Sequence, residues 1–233
     1  LVSRGFKPGG FNHTVSSPAD GVAYQSETST NIELGWRGAL APGVLEGGFA
    51  VYWIKSSDKQ IYVGPVGMQV LRNVGDAESK GIELDLQATP FAGLTVDVGA
   101  ALGRSEFTDA RDPLTGASYD GKRVPYAPDV GVRLSARYII PQTALPGALS
   151  VSGGGRYYSA TWFDEANTLK QPAYVLLDAS VNLDLDNGLS LSVFGDNLTD
   201  KVYRTSSYLF GAGDVRSTVG EGRVVGLTGR YRF

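Results

Sequence analysis

The amino-acid sequence predicts an all-β chain that crosses a membrane as an antiparallel, up-and-down β-barrel, and three observations carry that prediction. Apolar residues recur with a period of two in segment after segment, the mark of strands with one dry face and one wet one. The connections between these segments alternate between short turns and longer polar loops. In a meander, alternate connections lie on opposite rims, so one rim carries tight turns and the other long loops, as in outer-membrane barrels. Aromatic residues gather near segment ends rather than in their middles, where the two headgroup interfaces select amphipathic rings.

Taken in order, residues 1–7 read as the tail of a strand, and 8–25 as a loop on their Gly, Pro, Ser and Asn content. In 27–38, Ile32, Leu34 and Trp36 alternate with Glu33, Gly35 and Arg37. A short turn at 39–44 leads into 45–63, read as one strand, whose first half alternates through Leu45, Gly47, Phe49, Val51 and Trp53. After a loop at 64–73, Ile82, Leu84, Leu86 and Ala88 alternate with Glu83, Asp85 and Gln87. The turn at 90–93 is short, and 94–107 alternates through Leu94, Val96, Val98, Ala100 and Leu102. The loop at 108–125 holds Asp-Pro, Thr-Gly and Asp-Gly turn pairs.

Further on, Val130, Val132, Leu134, Ala136 and Tyr138 oppose Arg133, Ser135 and Arg137. A turn at 141–147 precedes a strand that runs toward Trp162 and Phe163, and a loop covers 164–171. From Val175 to Leu185 every second residue is apolar, with Asp178, Ser180, Asn182 and Asp184 between them. Asn187-Gly188 then predicts a tight hairpin in which both central residues take positive φ. Leu189, Leu191 and Val193 follow, then a glycine-rich loop over 205–220. The last strand places Val225, Leu227, Gly229, Tyr231 and Phe233 on one side and Gly226, Thr228, Arg230 and Arg232 on the other. The count is about ten strands, with no helix-period segment.

Composition agrees with this reading and narrows the chemistry. Hydrophobic residues are 42% of the 233 and mean hydropathy is −0.09. No stretch approaches the ~18 consecutive apolar residues of a membrane-spanning helix. A barrel escapes that test because half of each strand is hidden from lipid. The absence of cysteine removes disulfide scaffolds, thiolate metal sites and cysteine nucleophiles together. A net charge of −3, without Lys/Arg runs, gives no support to nucleic-acid binding. The chain opens in mid-pattern with neither initiator Met nor signal peptide, and is expected to be a C-terminal piece of a longer protein.

Six blocks also carry a resemblance: SRGFKPGGFN (3–12), ETSTNIELGWRG (27–38), NVGDAESKGIELDLQATP (73–90), PAYVLLDASVNLDL (172–185), FGDNLTDKVY (194–203) and the terminal GLTGRYRF (226–233). In this order they are similar to successive blocks of the C-terminal barrel of TonB-dependent outer-membrane receptors. The final strand departs from the family in carrying VVGLTG where an aromatic is common. The resemblance implies about ten C-terminal strands of a twenty-two-stranded barrel, a single partial barrel domain over 1–233, with the plug and the TonB-engaging segment N-terminal to it. It implies a receptor that imports a scarce solute across the outer membrane of a Gram-negative bacterium, a ferric siderophore first among the candidates. The expected partners are outer-membrane lipid, the TonB energy-coupling complex and the barrel assembly machinery, whose signal the terminal Tyr231 and Phe233 resemble.

Ligand contacts are expected from the long loops, at Tyr119, Arg123, Tyr126, Trp162, Tyr208, Phe210 and Arg216, because arginine suits anionic chelates and aromatic rings suit planar groups. No cofactor, metal or catalytic residue is expected. The single histidine, His13, has no second ligand in sequence. Glu83, Asp85 and Asp97 read as charges lining a wet interior rather than a catalytic pair. Gly153–Gly155 precede no helix and so make no phosphate cradle. Asp196, Asn197 and Asp200 lack calcium-loop spacing, and no nucleophile elbow occurs. Two other readings compete: an outer-membrane enzyme barrel, which needs a Ser/His pair or clustered acids at the rim, and a soluble carbohydrate-binding β-sandwich, which needs no lipid-facing stripe.

Bilayer accessibility separates the barrel from the sandwich. In the cysteine-free background, a cysteine replacing Val181 in the full-length protein should react with a lipid-dissolved probe, and one replacing Asn182 with a water-soluble probe. Labelling of both positions only from water would mean that the strand never meets lipid.

Overall fold

A computed structural model of the protein describes residues 1–13, 22–64, 66, 69–141, 144–210 and 213–232. From the N-terminus the strands are β1 (Val2–Lys7), β2 (Gly10–Phe11), β3 (Ala23–Tyr24), β4 (Glu27–Ala41), β5 (Leu45–Ser57) and β6 (Gln60–Val63). Next come β7 (Val70–Asn73), β8 (Gly75–Ala88), β9 (Leu94–Ala110), β10 (Val130–Ile140), β11 (Gly147–Tyr158) and β12 (Thr161–Trp162). The last six are β13 (Lys170–Gln171), β14 (Tyr174–Leu185), β15 (Leu189–Asp196), β16 (Arg204–Phe210), β17 (Asp214–Val219) and β18 (Val224–Tyr231).

Ten of these form one antiparallel sheet in the order β1-β4-β5-β8-β9-β10-β11-β14-β15-β18. Each wall strand thus pairs with the next one along the chain, as an up-and-down meander requires. The other eight form four two-stranded hairpins, β2-β3, β6-β7, β12-β13 and β16-β17, all within the long connections of a single rim. Six of them read as loops in the sequence, because two to seven residues are too few for a period to emerge, while β6 and β12 read as the ends of longer strands. The one long strand expected over 45–63 is two strands. Asp58 takes φ 56° between Ser57 and Gln60, which breaks the ladder and turns β6 out of the wall.

The register places the alternation on two faces. One hydrogen-bonded row runs Trp36, Phe49, Leu84, Ala100, Val132, Tyr157, Val175 across seven strands. Another runs Leu94, Tyr138, Val151, Val181, Val193, Leu227. Such rows are apolar and bare: Leu34 is 75% exposed, Val181 47% and Leu227 74%. An apolar sheet face left open in water would be a severe aggregation liability, whereas in a bilayer the acyl chains cover it. The opposite face carries Glu83, Asp85, Asp97, Arg133, Arg137, Arg156 and Asp178 by the same register. Its polar groups pair along and across strands: Arg156 Nη2 donates to Asp178 at 2.8 Å, Gln87 Nε2 to Asp97 at 2.8 Å and Ser192 Oγ to Asn182 at 2.6 Å.

The short turns follow local chemistry, with one correction. Asn187-Gly188 was expected to give two positive φ angles, but only Gly188 has one (88°). The connection is a three-residue loop over 186–188. Gly188 N–H closes on the Leu185 carbonyl at 3.1 Å, Asn187 Oδ1 accepts from Leu189 N–H at 3.1 Å, and Gly188 supplies the left-handed residue.

Aromatic placement also refines the expectation. At the short-turn end, Phe91 and Tyr138 meet edge to face at 6.0 Å, and Trp36 lies 6.4 Å from Phe49. At the long-loop end the rings divide: Tyr157 joins the outward rows, Tyr158 faces inward beside Arg156, and Phe107 and Phe163 are buried among the loops. The outer band seen in sequence is therefore partly a loop core, because strands that continue beyond the membrane still alternate.

Charge should discriminate the two faces. Val181→Arg in the full-length protein should cost roughly 2–4 kcal/mol, as for arginine at a lipid-facing midplane site. Asn182→Arg should cost about 1 kcal/mol, the scale of the partly solvated hydrogen bonds to Ser192 and Ser180 that it removes. Urea unfolding from liposomes measures both, and equal costs would mean that Val181 does not face lipid.

Candidate functional site

The rim of long connections holds what the chain can offer a ligand, and it is built first by packing. Phe107 and Ala110, at the outer end of β9, are 1% exposed and form a small core with Val63, Val74, Ala77 and Tyr119. Tyr119 lies 5.8 Å from Phe107 and is 8% exposed. Of the residues expected to touch ligand, Tyr119 is therefore held in a packing position.

Side-chain amides then tie one connection to another. Asn12 exchanges two hydrogen bonds with the backbone of Leu71, at 2.8 and 2.9 Å. Gln60 Nε2 donates to the carbonyls of Pro8 (3.0 Å) and Gln25 (2.8 Å). Asn73 donates to Asp58 and Gln25 carbonyls and accepts from Gln25 N–H. Gln171 accepts from Arg204 N–H at 2.9 Å. Asn197, with φ 46°, donates to the carbonyls of Lys201 and Glu221 at 3.0 Å each and accepts from Lys201 N–H at 2.8 Å. With Asp200, which accepts from Arg223 N–H at 2.9 Å, Asn197 clasps the base of the β16-β17 hairpin. The segment read as a deficient calcium loop is this clasp. Beside it Gly220 lies so close beneath the Tyr203 ring that a Cβ would overlap it, and Tyr203 stacks on Tyr174 at 4.7 Å.

Upon this scaffold, several predicted contact residues converge. Tyr126 takes φ 62°, donates its N–H to the Trp162 carbonyl at 2.9 Å and sets its ring 5.4 Å from Phe163. Its phenol is pushed up to about 12, by burial first, then by the hydrogen-bonded Tyr208 hydroxyl and by Glu165. Three connections thus meet at Tyr126, Phe163 and Tyr208. On the β16-β17 hairpin, Tyr208 is paired with Arg216, whose guanidinium lies 4.6 Å over the Phe210 ring and 3.0 Å from Asp214. Trp162 carries the Lys170 ammonium 5.0 Å from its ring centre. Arg123 is held by Asp129 at 2.7 Å. Phe163, Lys170 and Asp129 escaped the sequence reading of the site, and only the cluster TWF in a polar loop gave a hint of the first.

Carboxylates lie close to this aromatic face. Asp164 accepts from the N–H groups of Thr168 and Leu169 at 2.9 and 2.7 Å. Burial pushes the Glu165 carboxyl above its usual range, and Asp164 and Asp112 add to that against a hydrogen bond from its own backbone. Burial also tends to raise Asp112, but hydrogen bonds from Leu114, Thr115 and Tyr119 prevail and hold it low. His13 is exposed, and among the described residues no group of three potential ligands is poised for a metal ion. At the other end, Tyr231 lies on β18 opposite Leu189, and Phe233 falls outside the described residues.

Comparison with known proteins agrees with this geometry. Residues 2–198 match the family model described as "TonB dependent receptor-like, beta-barrel". The chain belongs to the TonB-dependent receptor β-barrel family. Its strands therefore lie in the outer membrane of a Gram-negative bacterium. The pesticin receptor of Yersinia enterocolitica is 35% identical over the whole chain, which covers 33% of that relative. The ferrioxamine B receptor of Salmonella typhimurium is 35% identical over 64% of the chain and 21% of its own length. Among solved structures, the ferric yersiniabactin uptake receptor FyuA of Yersinia pestis matches with a TM-score of 0.85 and 30% identity, over 100% of this chain and 34% of that one. The chain thus spans about a third of the length of the curated relatives it matches across its whole extent.

The Glu165 shift has a testable sign. A carboxyl whose folded-state pKa is raised contributes stability that is full below the ordinary glutamate range and is lost as pH rises through the folded value. Hydrogen exchange over 159–173, corrected for intrinsic rate, should show protection weakening from pH 4 toward neutrality. Glu165→Gln should flatten that dependence and leave the loop better protected at neutral pH. An unchanged pH profile in the variant would show that Glu165 is not the group responsible.

Proposed function

We propose that the chain is a single partial barrel domain of a ligand-gated importer that captures a ferric siderophore at its outer rim. The observation that carries this reading is the convergence of Tyr126, Phe163 and Tyr208 from three connections, beside Arg216 on Phe210, above a wall with a polar inner face. Iron chelates are compact, often anionic and often planar in part, and guanidinium and aromatic rings are the groups that recognise them. The names of the relatives, which include receptors for ferric yersiniabactin and ferrioxamine B, point to the same substrate class.

In this reading, Tyr126, Trp162, Tyr208, Phe210 and Arg216 contact the chelate, while Tyr119 holds the loop core that supports them. The inward charges, among them Asp97, Arg137, Arg156 and Asp178, border the path that the solute takes past a plug. Energy reaches the full-length receptor from the inner membrane through TonB. The barrel assembly machinery engages the terminal strand with Tyr231 and Phe233, and lipid covers the outward rows. The receptor binds and moves its solute without converting it.

Uptake of 55Fe-labelled yersiniabactin and ferrioxamine B by iron-starved cells producing the full-length receptor tests the reading. Arg216→Ala and Tyr208→Ala should each weaken uptake roughly tenfold, the scale of a substantial hot-spot contact, with unchanged receptor in the outer membrane. Receptor-dependent growth that responds to no ferric chelate would overturn it.

A further inference from the structure

One residue of the rim joins two connections at the point where the expected ligand groups sit. Asn167 occupies a left-handed backbone position, φ 57°, which asparagine tolerates better than most residues. Its Oδ1 accepts from the Arg123 backbone N–H at 2.7 Å and its Nδ2 donates to the Arg123 carbonyl at 3.0 Å, 44 residues away. A second bond from Nδ2 to the Asp164 carbonyl, also 3.0 Å, anchors the side chain within its own turn. The carboxamide thus meets both backbone groups of Arg123 as a neighbouring strand would.

The consequence falls on two side chains. Three residues on from Arg123, Tyr126 is tied to the same partner connection through the Trp162 carbonyl, so residues 123–126 are fixed at both ends to 162–167. The Arg123 guanidinium is held on Asp129 through Nη2, while its Nη1 is buried and without a hydrogen-bond partner among the described residues. The guanidinium is thus committed to the interior of the rim, and the half-exposed Tyr126 ring is the group that the clamped segment presents outward.

We propose that Asn167 is a positioning residue: it clamps residues 123–126 onto the 162–167 connection, so that the chelate meets a preformed Tyr126 ring without first ordering two loops. The idea rests on the importer reading above. Its energetic logic is preorganisation, since a loop ordered beforehand costs nothing to order at binding.

Two variants of the full-length receptor test it, Asn167→Gly and Asn167→Asp. Glycine tolerates the backbone angle but removes the clamp. Aspartate retains the acceptor for Arg123 N–H and loses the two donated bonds. Without any ligand, amide exchange over 121–126 should rise about tenfold or more in Asn167→Gly, with the wall amides of Leu94–Leu102 unchanged. Equilibrium binding of 55Fe-yersiniabactin should weaken about tenfold in Asn167→Gly, and Asn167→Asp, which keeps one bond of three and faces two carbonyl oxygens, should weaken it too. Wild-type exchange over 121–126 in Asn167→Gly would overturn the clamp, as would loosened exchange with unaltered binding. Failure of the wild-type receptor itself to bind the probe would strike the importer reading instead, and the exchange measurement alone would then decide the clamp.

Discussion

In hydrocarbon an amide group has only other amides to bond, and the wall depends on that constraint before anything else. It explains why all ten wall strands follow one another in register, from Val2 paired with Ile32 at one side to Leu189 paired with Tyr231 at the other. It also explains why charge enters the outward face only toward the long-loop end, where Lys55, Glu78, Lys80 and Arg104 follow Trp53 and Ile82. Only the outer edges of β1 and β18 lack a partner strand within the ten-stranded sheet. In a closed barrel no such edges exist, so the sheet is one arc of a wall.

Above the membrane water is available, and the rule relaxes into a different solution. The connections there bury little apolar surface apart from the group around Phe107, so they cannot be held by a core of ordinary size. Side-chain amides take over part of the work. Asn12, Gln60, Asn73, Asn167 and Asn197 each bond backbone groups across a connection or between two, which lets irregular segments share a ladder without a common strand direction. The arrangement leaves aromatic and cationic groups free to face outward at the rim.

The wall was legible in the sequence because membrane strands obey a strict period and their partners are adjacent in sequence. Leu177, Val181 and Leu183 could be assigned outward from alternation alone, and the register agrees. What was not legible depends on contacts that no period announces. Asp58 breaks a strand by one backbone angle, and Gly188 turns a hairpin with one positive φ where two were expected. Tyr119 has the composition of a ligand contact and the position of a core residue, because Phe107 lies beneath it. The convergence of Tyr126 with Tyr208 joins residues some eighty positions apart, and nothing local in either segment marks it.

The long pairing rows described for the wall also set a map of depth. Trp36 lies toward the short-turn end of β4, whereas Val175 begins β14 at the long-loop end, yet one row connects them. Each step sideways along that row is therefore also a step from one bilayer surface toward the other, the tilt that barrel closure imposes. Residues at equal depth are not the paired ones but those on a diagonal through the pairing table. A contour of constant hydrophobic cost crosses the registers obliquely, so a polar substitution at Ala100 or Leu84, midway along the row, is set deeper in hydrocarbon than one at either terminus of the same hydrogen-bonded line.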